Sequence, residues 1–151
     1  MLDSDYQQNL GQLIRNTSSR ITLPDELSRF FDESGPNSSF ENDRRNSART
    51  RVRTTCIVIP DTWLPVFPRS PEPQIAYTKD FSKTGFGFLV SSQLYPGEIF
   101  RVLLATFWME VKVCGSRRLG EHCYEIGSQL ITTHEPSADA FARTLQPATA
   151  I

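Results

Sequence analysis

The 151-residue sequence predicts an all-β domain, a six-stranded antiparallel β-barrel with a short C-terminal helix, preceded by a partly helical N-terminal extension. Three observations point there. From residue 50 onward, apolar side chains recur with a period of two, the spacing of half-buried strands. Six such runs follow one another at fairly even spacing, and closing six short strands into a barrel removes the exposed edges. Hydrophobic residues make up 38% of the chain and include ten Phe, enough for a small core.

The extension is expected over residues 1–43. In DYQQNLGQLIR, Tyr6, Leu10, Leu13 and Ile14 recur at helical spacing. TLPDELSRFFDE predicts a second helix: Thr22 can cap it, Asp25 follows three residues later, and Pro24 is tolerated in a first turn. Its stripe of Leu27, Phe30 and Phe31 is expected to dock on the domain that follows; the other reading is a partner-binding or dimerising helix. SGPNSSFEND, residues 34–43, reads as a polar linker.

The barrel domain is expected over residues 44–146, with 147–151 as a tail. TRVRTTCIVIP is the first strand, ending at Pro60. Residues 60–73 hold Pro65, Pro68, Pro71 and Pro73 and read as a semi-rigid loop, adding an edge segment at most. QIAYTKDF is the second strand and GFGFLVSS the third, with Phe86, Phe88 and Val90 on one face. LYPGE is a turn and EIFRVLLAT the fourth strand. In FWMEVKVCGSRR, the fifth, Met109, Val111 and Val113 alternate with Glu110 and Lys112. In GEHCYEIGSQLI, the sixth, Tyr124, Ile126 and Leu130 face inward against Glu125 and Gln129. SADAFARTLQ predicts the final helix, with Ser137 as cap and Ala138, Phe141, Ala142 and Leu145 as its apolar stripe.

A net charge of −1 argues against a protein coated in positive charge for duplex DNA. Three cysteines, Cys56, Cys114 and Cys123, in no paired motif, predict reduced thiols in a cytoplasmic protein. The N-terminus has no basic segment followed by an apolar run, so no secretory signal is expected. FRVLLATFWM is broken by Arg101 and Thr106 and is too short to span a bilayer, so no membrane insertion is expected either.

Catalytic signals are thin. A zinc site drawn from Cys114, His122, Cys123 and His134 would match no standard ligand spacing. Nucleophile elbow, phosphate loop and paired-carboxylate motifs do not stand out. The expectation is no enzyme, no cofactor and no metal.

Residues 44–53, RRNSARTRVR, are the informative stretch, with five arginines in ten positions. A guanidinium grips phosphate bidentately, stacks on flat rings, and matches guanine O6 and N7. DFSKTG, residues 80–85, opens the third strand. An ionised Asp80 can accept from guanine N1–H and N2–H, Ser82 can donate to a phosphate or base oxygen, and Gly85 lets a base approach the backbone. Each stretch alone also fits a bland reading, a solvated basic linker and a plain hairpin turn.

Taken in order, RNSAR at 45–49 and DFSKTG at 80–85 make the chain resemble the PilZ family, bacterial receptor domains for cyclic di-GMP. The family pattern is an Arg-x-x-x-Arg arm, a strand pair, then Asp/Asn-x-Ser-x-x-Gly. The resemblance runs from about Arg44 to Leu145 and takes in the Gly97 turn, the hairpin ending at Gly127 and the final helix. It implies a six-stranded barrel and a receptor or adaptor that binds cyclic di-GMP through Arg44, Arg45, Arg49, Asp80, Ser82 and Gly85. The arginines would take phosphates and guanines, and the Asp-Ser-Gly turn a guanine on the barrel surface. Arg44, directly before the arginine pair, adds a third guanidinium that suits two intercalated ligands. The long proline-rich loop 60–73 and residues 1–43 depart from the family pattern. They are the expected places for an unknown downstream protein partner, and a homodimer stays open. The rival readings are a small barrel that stacks single-stranded nucleic acid on outward aromatics, and a PilZ-fold adaptor without ligand.

Overall fold

The period-two runs build a closed barrel. In a computed structural model, which describes residues 3–32, 35–36, 50–51, 53–64, 70–142 and 146–147, its strands are β3 (Thr55–Pro60), β5 (Gln74–Phe81), β6 (Gly85–Val90), β7 (Ile99–Leu103), β8 (Trp108–Gly120) and β9 (Cys123–His134). They follow the order β5–β3–β7–β8–β9–β6, and β6 pairs back with β5. Every pairing round the ring is antiparallel. Four two-residue segments decorate it. β1 (Gly35–Pro36) pairs with β2 (Thr50–Arg51), which pairs in turn with the end of β5, while β4 (Thr62–Trp63) pairs in parallel with β10 (Gln146–Pro147). β4 is thus an edge contribution from the proline-rich stretch, of which residues 65–69 lie outside the described residues.

The alternation read from the sequence sorts the two faces. Phe86, Phe88, Val90, Phe100, Val102, Met109, Val111, Val113 and Ile126 form one buried cluster, with Tyr124 and Leu130 partly buried against it. The rings of Phe86 and Phe88 stack 5.2 Å apart. A full burial of each such side chain contributes about 1.5–3 kcal/mol. In the LYPGE turn Gly97 takes a φ of 97°, a conformation that side-chain-bearing residues disfavour. The buried Glu98 carboxylate accepts the Tyr95 N–H at 2.8 Å.

The outer face is covered in two places by the N-terminal extension. Helix α1 (Asp3–Asn16) has the predicted stripe: Tyr6 and Leu10 pack against Ile57, Ile59, Ile75 and Leu103. Tyr6 donates its hydroxyl to the Leu104 carbonyl at 2.7 Å and reaches the Phe107 carbonyl at 3.1 Å. Burial pushes the Tyr6 phenol above its ordinary value.

The second predicted helix is corrected to two 3-10 turns, Asp25–Leu27 and Phe30–Asp32. Thr22 does not cap it; its N–H donates to the His122 carbonyl at 3.1 Å, and extended Pro24 precedes the first turn. The reason is packing: breaking the segment into two short turns lets Phe30 bury on the barrel with Leu27 partly buried against the same cluster. Phe30 is buried against Leu89 and Cys123. Phe31, one position on, is 42% exposed and meets the Tyr77 ring edge-on at 4.8 Å. The stripe docks on the barrel as expected, with Phe31 at its margin.

The short C-terminal helix is a 3-10 turn, Ala138–Phe141. Its buried residue is Ala140, while Ala138 and Ala142 are exposed and Leu145 lies outside the described residues. Ser137 makes no capping bond; its hydroxyl accepts from Trp108 Nε1 at 3.2 Å. The buried Arg101 clamps the turn, donating Nη1 to the Asp139 and Ala140 carbonyls and Nε to Asp61 at 2.7 Å. Burial raises the Asp61 carboxyl above its usual range, against the pull of Arg101.

Candidate functional site

Strand β5 carries a register shift. Thr78 faces Phe88 and Asp80 faces Gly87, so Lys79 is an extra residue between them. A bulge sets two residues against one and re-aims the side chains beside it. Lys79 and Asp80 thereby come together: Lys79 Nζ lies 3.4 Å from Asp80 Oδ2 and 3.9 Å from Glu125 Oε2 on β9. Arg117 of β8 meets the same Glu125 oxygen at 3.4 Å.

Asp80 is buried beside a glycine. A Cβ built on Gly87 would stand 2.7 Å from Asp80 Oδ1, so only glycine leaves the carboxylate its place. The register continues this row: Gly87 pairs with Gly127, and Gly127 with Gly115. A Cβ on Gly127 or Gly115 would meet nothing within 4 Å. The outer face therefore carries a row of three glycines across three strands, about 10 Å long at the usual strand spacing, with Gly127 exposed, Gly115 half-buried and Gly87 buried beside Asp80. Asp80 stands at one end, and the Arg117–Glu125 pair flanks it one row along. A flat ring can lie on such a strip, and a carboxylate at its end can accept paired N–H donors.

Ser82 and Gly85 shape the turn that presents Asp80. The Ser82 N–H donates to the Gly85 carbonyl at 2.9 Å, and the Gly85 N–H donates to the Ser82 hydroxyl at 3.0 Å. Leu130 N–H donates to the Thr84 carbonyl and ties the turn to β9. Arg44, Arg45 and Arg49 lie outside the described residues. The backbone that follows them is described: Thr50 pairs with Phe81 and Arg51 with Asp80. The chain thus joins the sheet beside Asp80, one residue after Arg49.

Arg53, the fifth arginine of the run, holds the framework. Its Nε donates to the Lys79 carbonyl at 2.9 Å and its Nη1 to the Phe30 carbonyl at 3.2 Å, and its guanidinium lies 4.2 Å over the Phe30 ring. Sequence reasoning missed this role, as it missed Lys79, Glu125, Arg117 and the glycine row. The glycines do leave a signal, since Gly87 and Gly127 fall at the outward parity of FGF and IGS.

The other sequence candidates are not assembled. Cys123 is buried on the outer face, its thiol pushed up by burial and by Glu125. His122 occupies the exposed β8–β9 turn with a φ of 55°, Cys114 is exposed, and His134 stacks on Trp108 at 4.0 Å. Among the described residues no three His, Cys, Asp or Glu side chains are grouped to hold a metal ion. Phe86, Phe88 and Phe100, on which bases would have to stack, are inside the barrel. A cleft of about 720 Å³ between the end of α1 and Ser91–Ser92 shares no residue with the glycine strip. No described helix is long and apolar enough to cross a membrane.

The chain matches no family model, and neither a curated protein nor a solved structure matches it.

Proposed function

We propose that this chain is a PilZ-type receptor for cyclic di-GMP and not an enzyme. One observation carries the reading: the Asp80–Gly87–Gly127–Gly115 row opens beside the point where the arginine arm enters the sheet. A guanine lies on the strip and donates N1–H and N2–H to Asp80. Arg49, and behind it Arg45 and Arg44, take the phosphates and the O6 and N7 edge of a guanine. Ser82 and Gly85 hold the turn that aims Asp80. The ligand draws the 43–51 arm across the strip, and a protein partner reads the composite surface.

Calorimetric titration with cyclic di-GMP, GTP and short oligonucleotides tests this. Cyclic di-GMP binds; Arg49→Ala and Asp80→Ala each remove a charge-assisted contact of about 1.5–3 kcal/mol, more than about tenfold in affinity. Tight oligonucleotide binding without cyclic di-GMP binding would sink the reading. The arm's three guanidiniums suit two intercalated ligands, so the stoichiometry is near two and falls toward one in Arg44→Ala. A wild-type value of one, unchanged by that substitution, removes Arg44 from the site.

A further inference from the structure

The bulge that sets Asp80 beside the glycine strip also brings an ammonium there. Lys79 Nζ sits 3.4 Å from Asp80 Oδ2, with its side chain 29% exposed and that of Asp80 5% exposed. We infer that Lys79 is a built-in competitor for the carboxylate that recognises the ligand, and that Glu125 is its alternative seat. This rests on the reading of Asp80 and the strip as a guanine platform.

The chemistry is a contest for one acceptor. An ammonium offers three donors and a positive charge, and it satisfies the same carboxylate that two adjacent N–H groups of a purine edge would need. Lys79 is tethered one residue away, so it is always present at high local concentration. Its main chain is fixed, because Arg53 Nε holds the Lys79 carbonyl at 2.9 Å. Only the side chain is left to swing. Glu125 Oε2, 3.9 Å from Nζ, is the second acceptor in its reach, and Arg117 already leans on that oxygen at 3.4 Å. A ligand that takes Asp80 moves the ammonium onto Glu125, and it need not strip the cation into bulk water. The competitor is weak by design of its exposure: a partly solvated pair is worth little, so it tunes affinity and does not block the site.

Two substitutions then act with opposite sign. Lys79→Met keeps the stem and removes the charge, and it tightens cyclic di-GMP binding by about twofold to fivefold. Glu125→Gln removes the alternative seat and weakens binding by about twofold. Lys79→Gln, more soluble, repeats the first arm, and thermal unfolding checks that each variant is folded. A ligand-free arm uses an amine-acylating ester with peptide mapping: in a Glu125→Gln background, where the second seat is removed, Asp80→Asn raises the labelling rate of Lys79. Affinity that is unchanged or lower in both Lys79 variants overturns the inference while leaving the receptor reading intact; Lys79 would then be neutral or would itself hold the ligand. Labelling unchanged by Asp80→Asn in the Glu125→Gln background also overturns it. Binding by the Lys79 variants alone, with none by the wild type, overturns it, because a competitor this exposed tunes affinity and does not abolish it. An absence of saturable binding in the wild type and every variant overturns the receptor reading and this inference with it.

Discussion

Asp80 and the missing side chain of Gly87 compete for one volume, and that makes the glycine row testable residue by residue. Gly87→Ala places a methyl 2.7 Å from Asp80 Oδ1, so the carboxylate must shift and cyclic di-GMP affinity falls in titration. Gly127→Ala meets open space. A strand-interior glycine costs about 0.5–1 kcal/mol relative to alanine, so denaturant unfolding shows this variant as stable as the wild type or slightly more so. Its ligand affinity nevertheless drops, because the strip is no longer bare. The thiols divide just as sharply. Cys114 is exposed, whereas Cys56 and Cys123 are buried with their thiols pushed up by burial. Thiolates are the reactive form, so a chromogenic disulfide reagent titrates one thiol quickly in the native protein and the other two only on unfolding.

At the scale of elements, α1 is held by an anchor as well as a stripe. Tyr6→Phe leaves the Leu104 carbonyl without its donor, a cost of about 1–2 kcal/mol for a buried bond, read as a lower denaturation midpoint with an unchanged slope. The strands were legible in the sequence because the interior takes alternate residues: Met109, Val111 and Val113 alternate with Glu110 and Lys112, and Phe86, Phe88 and Val90 share the inner face even though Leu89 is buried on the other. The 3-10 turns were not, since Leu27, Phe30 and Phe31 fit a helical stripe equally well until Phe30 is drawn under Arg53. Half of the candidate site was legible as well. Asp80, Ser82 and Gly85 announce themselves in one hexapeptide, because a turn is local chemistry. The row of Gly87, Gly127 and Gly115 depends on register across three strands and on a shift between Val113 and Gly115. Register is a property of pairing and not of any one strand. The meeting of Lys79 and Asp80 likewise requires the bulge, which no residue type in YTKDF dictates.

For the whole molecule, the extension is part of the fold. It covers Ile57, Ile59 and Leu103 on one side of the barrel and Leu89 and Cys123 on another. Deleting residues 1–32 bares both patches, and apolar patches of that kind drive association. The truncated chain is expected to aggregate or to unfold at a markedly lower temperature, checked by light scattering and a thermal melt. The full chain is expected to lose its fluorescence and its far-ultraviolet dichroism in one coincident transition. The Tyr6 contacts to Leu104 and Phe107 span 98 and 101 residues, and this span sets a clock on biosynthesis. A ribosome adds about 5–20 residues per second, so Tyr6 leaves the exit tunnel about 5–20 seconds before the carbonyls that will receive it. For that interval the first helix is a nascent apolar segment without a seat, and Leu103 to Trp108, followed by the Ala138–Phe141 turn, complete the surface on which the first element docks.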